Sequence, residues 1–287
     1  MGRIVYVNGE YLPEEQGKIS IFDRGFLFAD GVYEVTAVVD GKLVDYGPHM
    51  ERLERSLGEI RLAWPCSKEE LKAMHLEMIR RNSLKEGWIY MQITRGAADR
   101  DFKFPKDAKP TLVAFTQTGA LVDNPNAARG VKVITVPDIR WTRRDIKSVM
   151  LLAPALGKQA AHEAGAFEAW MIEDGFVTEG TSSNAYIVRD GKVITRGLSH
   201  SILAGCTRRS LFRLAKEHGV MIEERSFTPD EAYGADEAFL TSASNFVLPI
   251  TEIDGNRIGG GQPGPVTRKL REIFLEEATA GSSASSD

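Results

Sequence analysis

Asp145-Ile146-Lys147-Ser148 and Thr178-Glu179-Gly180-Thr181-Ser182-Ser183-Asn184 are the two runs on which the reading of this chain turns. Lys147 precedes Val149, Met150, Leu151 and Leu152, which predicts an amine set among apolar side chains. Burial disfavours an ammonium, the direction a nucleophilic amine needs. Glu179 stands in a tight Glu-Gly turn between two strand-like runs, 169–172 and 184–188. Taken singly, each reads most simply as a solvated surface group, because charged side chains are mostly exposed. Their meaning depends on what flanks them.

Downstream, Gly205-Cys206-Thr207 opens a helix expected over 206–218, and unpaired N–H groups at such a start favour a phosphate. An ordinary capped helix explains the same residues. Thr241-Ser242-Ala243-Ser244-Asn245 is a small polar run at a strand end, for which a plain turn is the simpler reading. Arg52 lies beside apolar Met50 and Leu53 on an expected helix, where a solvated face is the ordinary explanation. The five histidines show no paired metal spacing, so no metal site is expected. Gly259–Gly261 with Gly264 follows no strand-to-helix pattern, lacks a phosphate-loop lysine, and reads as a surface loop. Cys206 has no histidine beside it and reads as a small buried thiol.

The rest of the chain sets the frame. At 287 residues it has room for two ordinary domains. An apolar content of 43% with 26% charged residues describes a globular protein. The net charge of −4, without a Lys/Arg run, argues against nucleic-acid binding. No apolar run has the length of a membrane span, MGRIVYVNGE lacks a signal-type core, and two cysteines make no framework. A cytoplasmic protein is expected.

Asn8-Gly9, Asp40-Gly41, Asp190-Gly191 and Asp254-Gly255 each separate two strand-like runs, the pattern of type I′ hairpins. A helix is expected from Pro48, with Met50, Leu53, Leu57 and Ile60 on one face. Ser67 with Glu70 makes a capping box for a second helix. Strands 88–94 and 111–116 complete an α+β domain with two helices on one side of its sheet. Further strands are expected at 131–136, 168–172, 176–177, 184–188, 192–195, 220–224, 237–241 and 248–253. Helices are expected at 153–164 and 265–277. The expected division is a small α/β domain over 1–117, a linker over 118–124, a larger domain over 125–277 and a disordered tail over 278–287. The larger domain is expected to be barrel-like and edged by helices.

These runs, together and in order, carry a resemblance. The chain resembles the fold-type IV pyridoxal-phosphate enzymes, and among them the D-amino acid aminotransferases, from residue 2 to residue 277. The resemblance rests on Asp23-Arg24-Gly25, on Asp30-Gly31-Val32-Tyr33-Glu34-Val35, on His49-x-x-Arg52-Leu53 and on Thr94-Arg95-Gly96. It continues in Asp138-Ile139-Arg140-Trp141 and the two opening runs, then in Leu203-x-Gly205-x-Thr207-Arg208 and Thr241-Ser242.

The resemblance implies a two-domain α+β fold and pyridoxal 5'-phosphate carried covalently by Lys147. It implies that Glu179 pairs with the pyridine nitrogen, so that the ring acts as an electron sink. Arg52, the Cys206 and Thr207 amides, the Thr207 hydroxyl and Ser242 would hold the phosphate, with Leu203 against the ring face. Ala243 departs from the hydroxyl residue expected there and leaves only its backbone N–H. The implied reaction is ping-pong transamination, with the Lys147 amine as general base and acid.

Tyr33 and Arg100 resemble residues that bind the substrate α-carboxylate in D-amino acid aminotransferases, Arg100 with a bidentate fork. Phe102 stands where those enzymes carry a histidine, and Ala37 where a lysine is common. The missing donor and cation predict a looser carboxylate grip and an added activity toward (R)-configured primary amines. Within the fold, the alternatives are a branched-chain L-amino acid aminotransferase and, more distantly, an aminodeoxychorismate lyase. From another class, a cofactor-free binding protein is the alternative that the presence of both Lys147 and Glu179 argues against. Proteins of this resemblance are usually homodimers.

Overall fold

The computed structural model describes residues 2–280. They divide into two compact units, 2–120 with 146–150, and 121–145 with 151–280. The first unit is a six-stranded antiparallel sheet of β1 (Ile4–Val7), β2 (Glu10–Pro13), β3 (Gly31–Val39), β4 (Lys42–Leu43), β5 (Gly87–Thr94) and β6 (Thr111–Thr118). The strands lie in the order β2-β1-β6-β5-β3-β4. Its helices are α1 (Arg24–Phe28), α2 (Tyr46–Glu59) and α3 (Lys68–Asn82).

Along β5, Ile89, Met91 and Ile93 are buried and alternate with half-buried Trp88, Tyr90 and Gln92, the period-2 pattern of a sheet with one face on the core. Leu53 and Leu57 of α2 and Leu71, Met74 and Met78 of α3 share that core. The Ser67–Glu70 capping box starts α3 as its sequence predicts. The α2 start differs: Asp45 is its N-cap with φ +54° and Tyr46 its first residue. Pro48 therefore sits inside the first turn, where a missing N–H costs nothing, and β4 stops at Leu43.

The second unit holds one nine-stranded sheet flanked by helices. Its strands are β7 (Val131–Pro137), β8 (Glu168–Glu173), β9 (Phe176–Gly180), β10 (Asn184–Arg189), β11 (Lys192–Thr195), β12 (Ile222–Glu224), β13 (Glu237–Ser242), β14 (Phe246–Ile253) and β15 (Asn256–Arg257). The order is β12-β11-β10-β13-β14-β7-β8-β9, with β15 on β14; pairing is parallel at β11–β12, β14–β7 and β7–β8. The helices are α4 (Pro125–Arg129), α5 (Leu152–Glu163), α6 (Cys206–Glu217), α7 (Pro229–Tyr233) and α8 (Pro265–Ala280). β10, β13 and β14 are buried along nearly their whole length, as strands covered on both faces are. α6 packs on β13, α8 on β14 and α5 on β8.

The four dipeptide turns read from sequence all have positive φ at both residues, and Asp174-Gly175 adds a fifth. Two assignments change. Residues 146–150, placed by sequence in the larger domain, pair with β3 of the first unit through the Val32–Ser148 bridge. The expected disordered tail begins inside α8 at 278–280, and 281–287 lie outside the described residues.

One core group carries a pH dependence. The His75 ring is fully buried, its Nδ1 is 2.8 Å from the Leu71 carbonyl, and its Nε2 has no hydrogen-bond partner among the described residues. Burial pushes its pKa from 6.5 down to about 4. The folded chain thus holds this ring neutral while the unfolded chain protonates it below pH 6.5, so stability is full above that value and declines toward pH 4. Lowering the pH from 7 to 5 is expected to cost about 2 kcal/mol through this residue. Urea titrations at both pH values check it, and His75→Leu should flatten that part of the difference.

Candidate active site

In the first unit, segment 146–150 runs antiparallel beside the start of β3. The Tyr33 amide donates to the Lys147 carbonyl (3.0 Å) and the Val149 amide to the Gly31 carbonyl (3.1 Å). The Lys147 amide donates to the Ser56 hydroxyl on α2 (3.3 Å). The Lys147 backbone is thereby fixed on both sides, and its Nζ stands 4.1 Å from the centroid of the Tyr33 ring. The apolar surround expected from the following residues is not what the structure shows, since Met150, Leu151 and Leu152 are exposed. An extended strand alternates its side chains, so sequence neighbours of Lys147 do not share its environment. The aromatic face of Tyr33 is its near neighbour instead, and Tyr33 stacks in turn on Tyr90 at 5.5 Å.

Arg52 leaves the same α2 and meets Glu34 of β3 in a bidentate pair, Nε to Oε1 at 2.8 Å and Nη2 to Oε2 at 2.7 Å. His49, one turn before, places Nδ1 2.6 Å from the same carboxylate. Glu34 is completely buried; burial would raise its pKa, but Arg52 and then His49 outweigh it and hold the carboxyl down at about 2. The guanidinium is thus held in one orientation by an ion that stays charged. His49 and Glu34 were visible in sequence only as neighbours within the resembling runs. Helical spacing puts His49 and Arg52 on one face, but nothing local announces Glu34 as their partner.

In the second unit, Glu179 lies within β9, one residue before its end, not in the turn expected there, and is buried. Oε1 accepts from Arg140 Nη1 at 2.6 Å, Oε2 from Asn184 Nδ2 at 3.0 Å, and the Leu203 amide reaches both oxygens at 3.2 and 3.1 Å. Burial pushes the Glu179 carboxyl up, against the opposing pull of Arg140 and the Leu203 amide. Arg140 is itself gripped by Asp138 through Nε (3.0 Å) and Nη2 (2.7 Å). Burial would raise the Asp138 pKa, but Arg140 and the Thr178 hydroxyl bring it below its ordinary value. The three donors make four contacts, two on each oxygen, so the carboxylate is held in one orientation. Arg140 and Asn184 escaped the sequence reading as individual residues.

Asn184 also donates to the Leu203 carbonyl (3.0 Å), which fixes the chain just before α6. A Cβ at Gly205 would fall 2.2 Å from Asn184 Oδ1, so a side chain there would have to push the Asn184 amide off its partners. Helix α6 starts at Cys206 with no side-chain cap and no acidic residue in its first turn, while Thr207 is buried. Its first N–H groups and the Thr207 hydroxyl form a donor set suited to a phosphate. β10 pairs with β13 in the register Asn184–Thr241, so Ser242 and Ala243 follow directly on the strand position level with Asn184. Asn245 donates to the Ser242 hydroxyl at 3.1 Å and shapes that turn. The buried, firmly oriented acid and the helix start without a side-chain cap fit a phosphorylated pyridine cofactor.

Arg100 and Phe102 lie in the first unit on the connection between β5 and β6. The Arg100 guanidinium is 5.4 Å from the Phe28 ring centroid and 5.5 Å from that of Phe102, and Phe102 is 77% exposed. Neither contact involves Tyr33. Ala37 is buried in β3, beside Trp88 of β5.

Comparison with known proteins follows the same lines. A family model described as amino-transferase class IV matches residues 31–253. A D-alanine aminotransferase of Bacillus licheniformis is 40% identical over 269 residues, spanning 93% of this chain and 94% of that protein. One of Staphylococcus haemolyticus is 39% identical over 273 residues, spanning 94% and 96%. Among solved structures, a T.th. branched-chain amino acid aminotransferase with pyridoxamine 5'-phosphate superposes with a TM-score of 0.89 at 28% identity, covering 97% of this chain and 95% of that one.

Proposed function

The chain belongs to the class IV aminotransferases, and from that premise we propose that it moves an amino group between a D-amino acid, such as D-alanine, and a 2-keto acid, with pyridoxal 5'-phosphate as cofactor. The observation that carries the choice of substrate is the identity of about 40% to D-alanine aminotransferases over nearly the whole chain. The structural relative that acts on branched-chain amino acids stands at 28%.

When bound, the cofactor supplies an electron sink conjugated to the substrate Cα. Lys147 would hold it through Nζ, and the same amine would take the substrate Cα proton and return it as general base and acid. Anchoring of its backbone at Tyr33, Ser56 and Gly31 limits where that amine can reach, which favours proton transfer over other bond cleavages. Glu179 holds a proton at the ring nitrogen; burial raises its proton affinity, and Arg140, Asn184 and Leu203 fix its orientation. The α6 amides of Cys206 and Thr207, the Thr207 hydroxyl, Ser242, the Ala243 amide and Arg52 would hold its phosphate, and Leu203 would lie against its ring. Arg100 and Tyr33 bind the substrate carboxylate, and Phe102 leaves room for an apolar substituent. We assign the protein to homodimers of the cytoplasm on the strength of the family alone.

The test is a donor panel with 2-oxoglutarate as acceptor. D-Alanine is expected to give pyruvate, and (R)-1-phenylethylamine to react more slowly but measurably. Turnover of L-leucine without D-alanine would assign the chain to the branched-chain group and remove the carboxylate role from Arg100. Absence of any (R)-amine turnover beside good D-alanine turnover would remove the breadth assigned to Phe102.

A further inference from the structure

The connection that carries Arg100 and Phe102 is exposed, yet it is fastened from below by buried charges. Asp30 accepts Arg24 Nε at 2.8 Å and Arg95 Nε at 2.8 Å on one oxygen, and Arg95 Nη2 at 3.0 Å on the other. Arg24 and Arg95 are 3% and 6% exposed. Two guanidinium groups on one carboxylate leave several buried N–H donors in need of acceptors. Arg95 finds them in the Ile60 and Arg61 carbonyls at the end of α2, at 2.7 and 3.0 Å. Arg24 finds its acceptor in the carbonyl of Asp101, 2.5 Å from Nη1.

Asp101 is the residue between Arg100 and Phe102. The same guanidinium lies 4.6 Å from the centroid of Phe28, the ring that Arg100 and Phe102 both contact. Three residues further on, Phe104 lies under Arg95 at 3.6 Å and within 5.9 Å of Arg24. The motifs themselves interlock here. The Arg24 amide donates to the Gly96 carbonyl (2.9 Å), Asp23 accepts from the Thr94 hydroxyl (2.9 Å), and a Cβ at Gly25 would fall 2.3 Å from Thr94 Cγ2.

We propose that Arg24 is a specificity-determining positioning residue, which sets the height and direction of Arg100 and Phe102 by holding the Asp101 carbonyl between them. This rests on the reading of Arg100 as the carboxylate-binding group. A planar guanidinium holds Asp30 with one edge and Asp101 with another; an ammonium in its place keeps the charge but cannot span both in a fixed fork. Substrate grip should therefore depend on Arg24 although Arg24 touches no substrate.

The experiment is a double-mutant cycle on the holoenzyme with Arg24→Lys, Arg100→Ala and both, measuring KM and kcat for D-alanine together with the visible cofactor band and the melting temperature. Arg24→Lys is expected to raise KM about tenfold with kcat changed less than about twofold, since a displacement near 1 Å away from the chemistry suffices for such losses. The double variant is expected to be no worse than Arg100→Ala alone, because both changes remove one interaction. An unchanged KM in Arg100→Ala would overturn the carboxylate reading and the inference with it. A raised KM in Arg100→Ala beside an unchanged one in Arg24→Lys would overturn the inference alone, as would effects that simply add. Should Arg24→Lys lose its band or its fold, Phe104→Leu loosens the same connection from its 48% exposed side. It is expected to raise KM without moving the band, and an unchanged KM there also counts against the proposal.

Discussion

Lys147→Ala is expected to abolish the visible absorbance of the cofactor-loaded protein and to slow transamination by more than about 10⁴-fold, the combined loss of the covalent attachment and of the general base. The substitution is a clean one because what fixes this segment is main chain. The Lys147 carbonyl and amide engage Tyr33 and Ser56, and the Val32–Ser148 bridge continues the pairing; alanine retains all of these. The melting temperature of the cofactor-free protein should accordingly stay within a few degrees. Lys147→Arg keeps the cation over the Tyr33 ring but offers no amine that deprotonates at working pH, and it should be equally inactive. Substantial turnover in either variant, followed by the keto-acid product, would remove Lys147 from the chemistry.

Glu179→Gln carries the second-largest expected effect, a fall in kcat of about 10²–10³-fold with the visible band retained, in the range seen when one charge-stabilising group is removed from an active site. The amide keeps the shape and loses the charge. It presents an NH₂ toward a surround of donors, Arg140, Asn184 and the Leu203 amide, so one buried donor is left unpaired. That costs about 1–3 kcal/mol of stability. Arg140 retains Asp138, which keeps the guanidinium in place and confines the change to the proton partner. A kcat within a few-fold of the parent would show that Glu179 does not hold the ring proton.

How far the sequence could be read follows from how local each signal is. The Asn-Gly and Asp-Gly turns are legible because a positive φ at both positions is a demand on those two residues alone. The capping boxes at Ser67–Glu70 and Thr228–Glu231 are legible for the same reason. Helix α1 was missed because five residues give no helical period, and what defines it is the Asp23 cap on the Gly25 amide. The return of 146–150 to the first unit could not be read, since strand pairing between Ser148 and Val32 leaves no trace near either residue. The apolar run after Lys147 misled for a physical reason, in that hydrophobicity along the chain does not say which way each side chain points.

Of the candidate site, resemblance names individual residues, but not the groups that hold them. Glu34 beneath Arg52, Arg140 beside Glu179 and Arg24 beneath Asp101 are each defined by a partner distant in sequence. Pair spacing reveals partners on one helix; it is silent on partners that only folding brings together.

Borohydride reduction of the cofactor-loaded protein, followed by tryptic digestion and mass spectrometry, tests the central assignment most directly. Reduction fixes the cofactor to the lysine that holds it and blocks cleavage there, so the account predicts the added mass on peptide 145–158, at Lys147. The mass on any other lysine, or on none in a protein that shows the visible band, would contradict it.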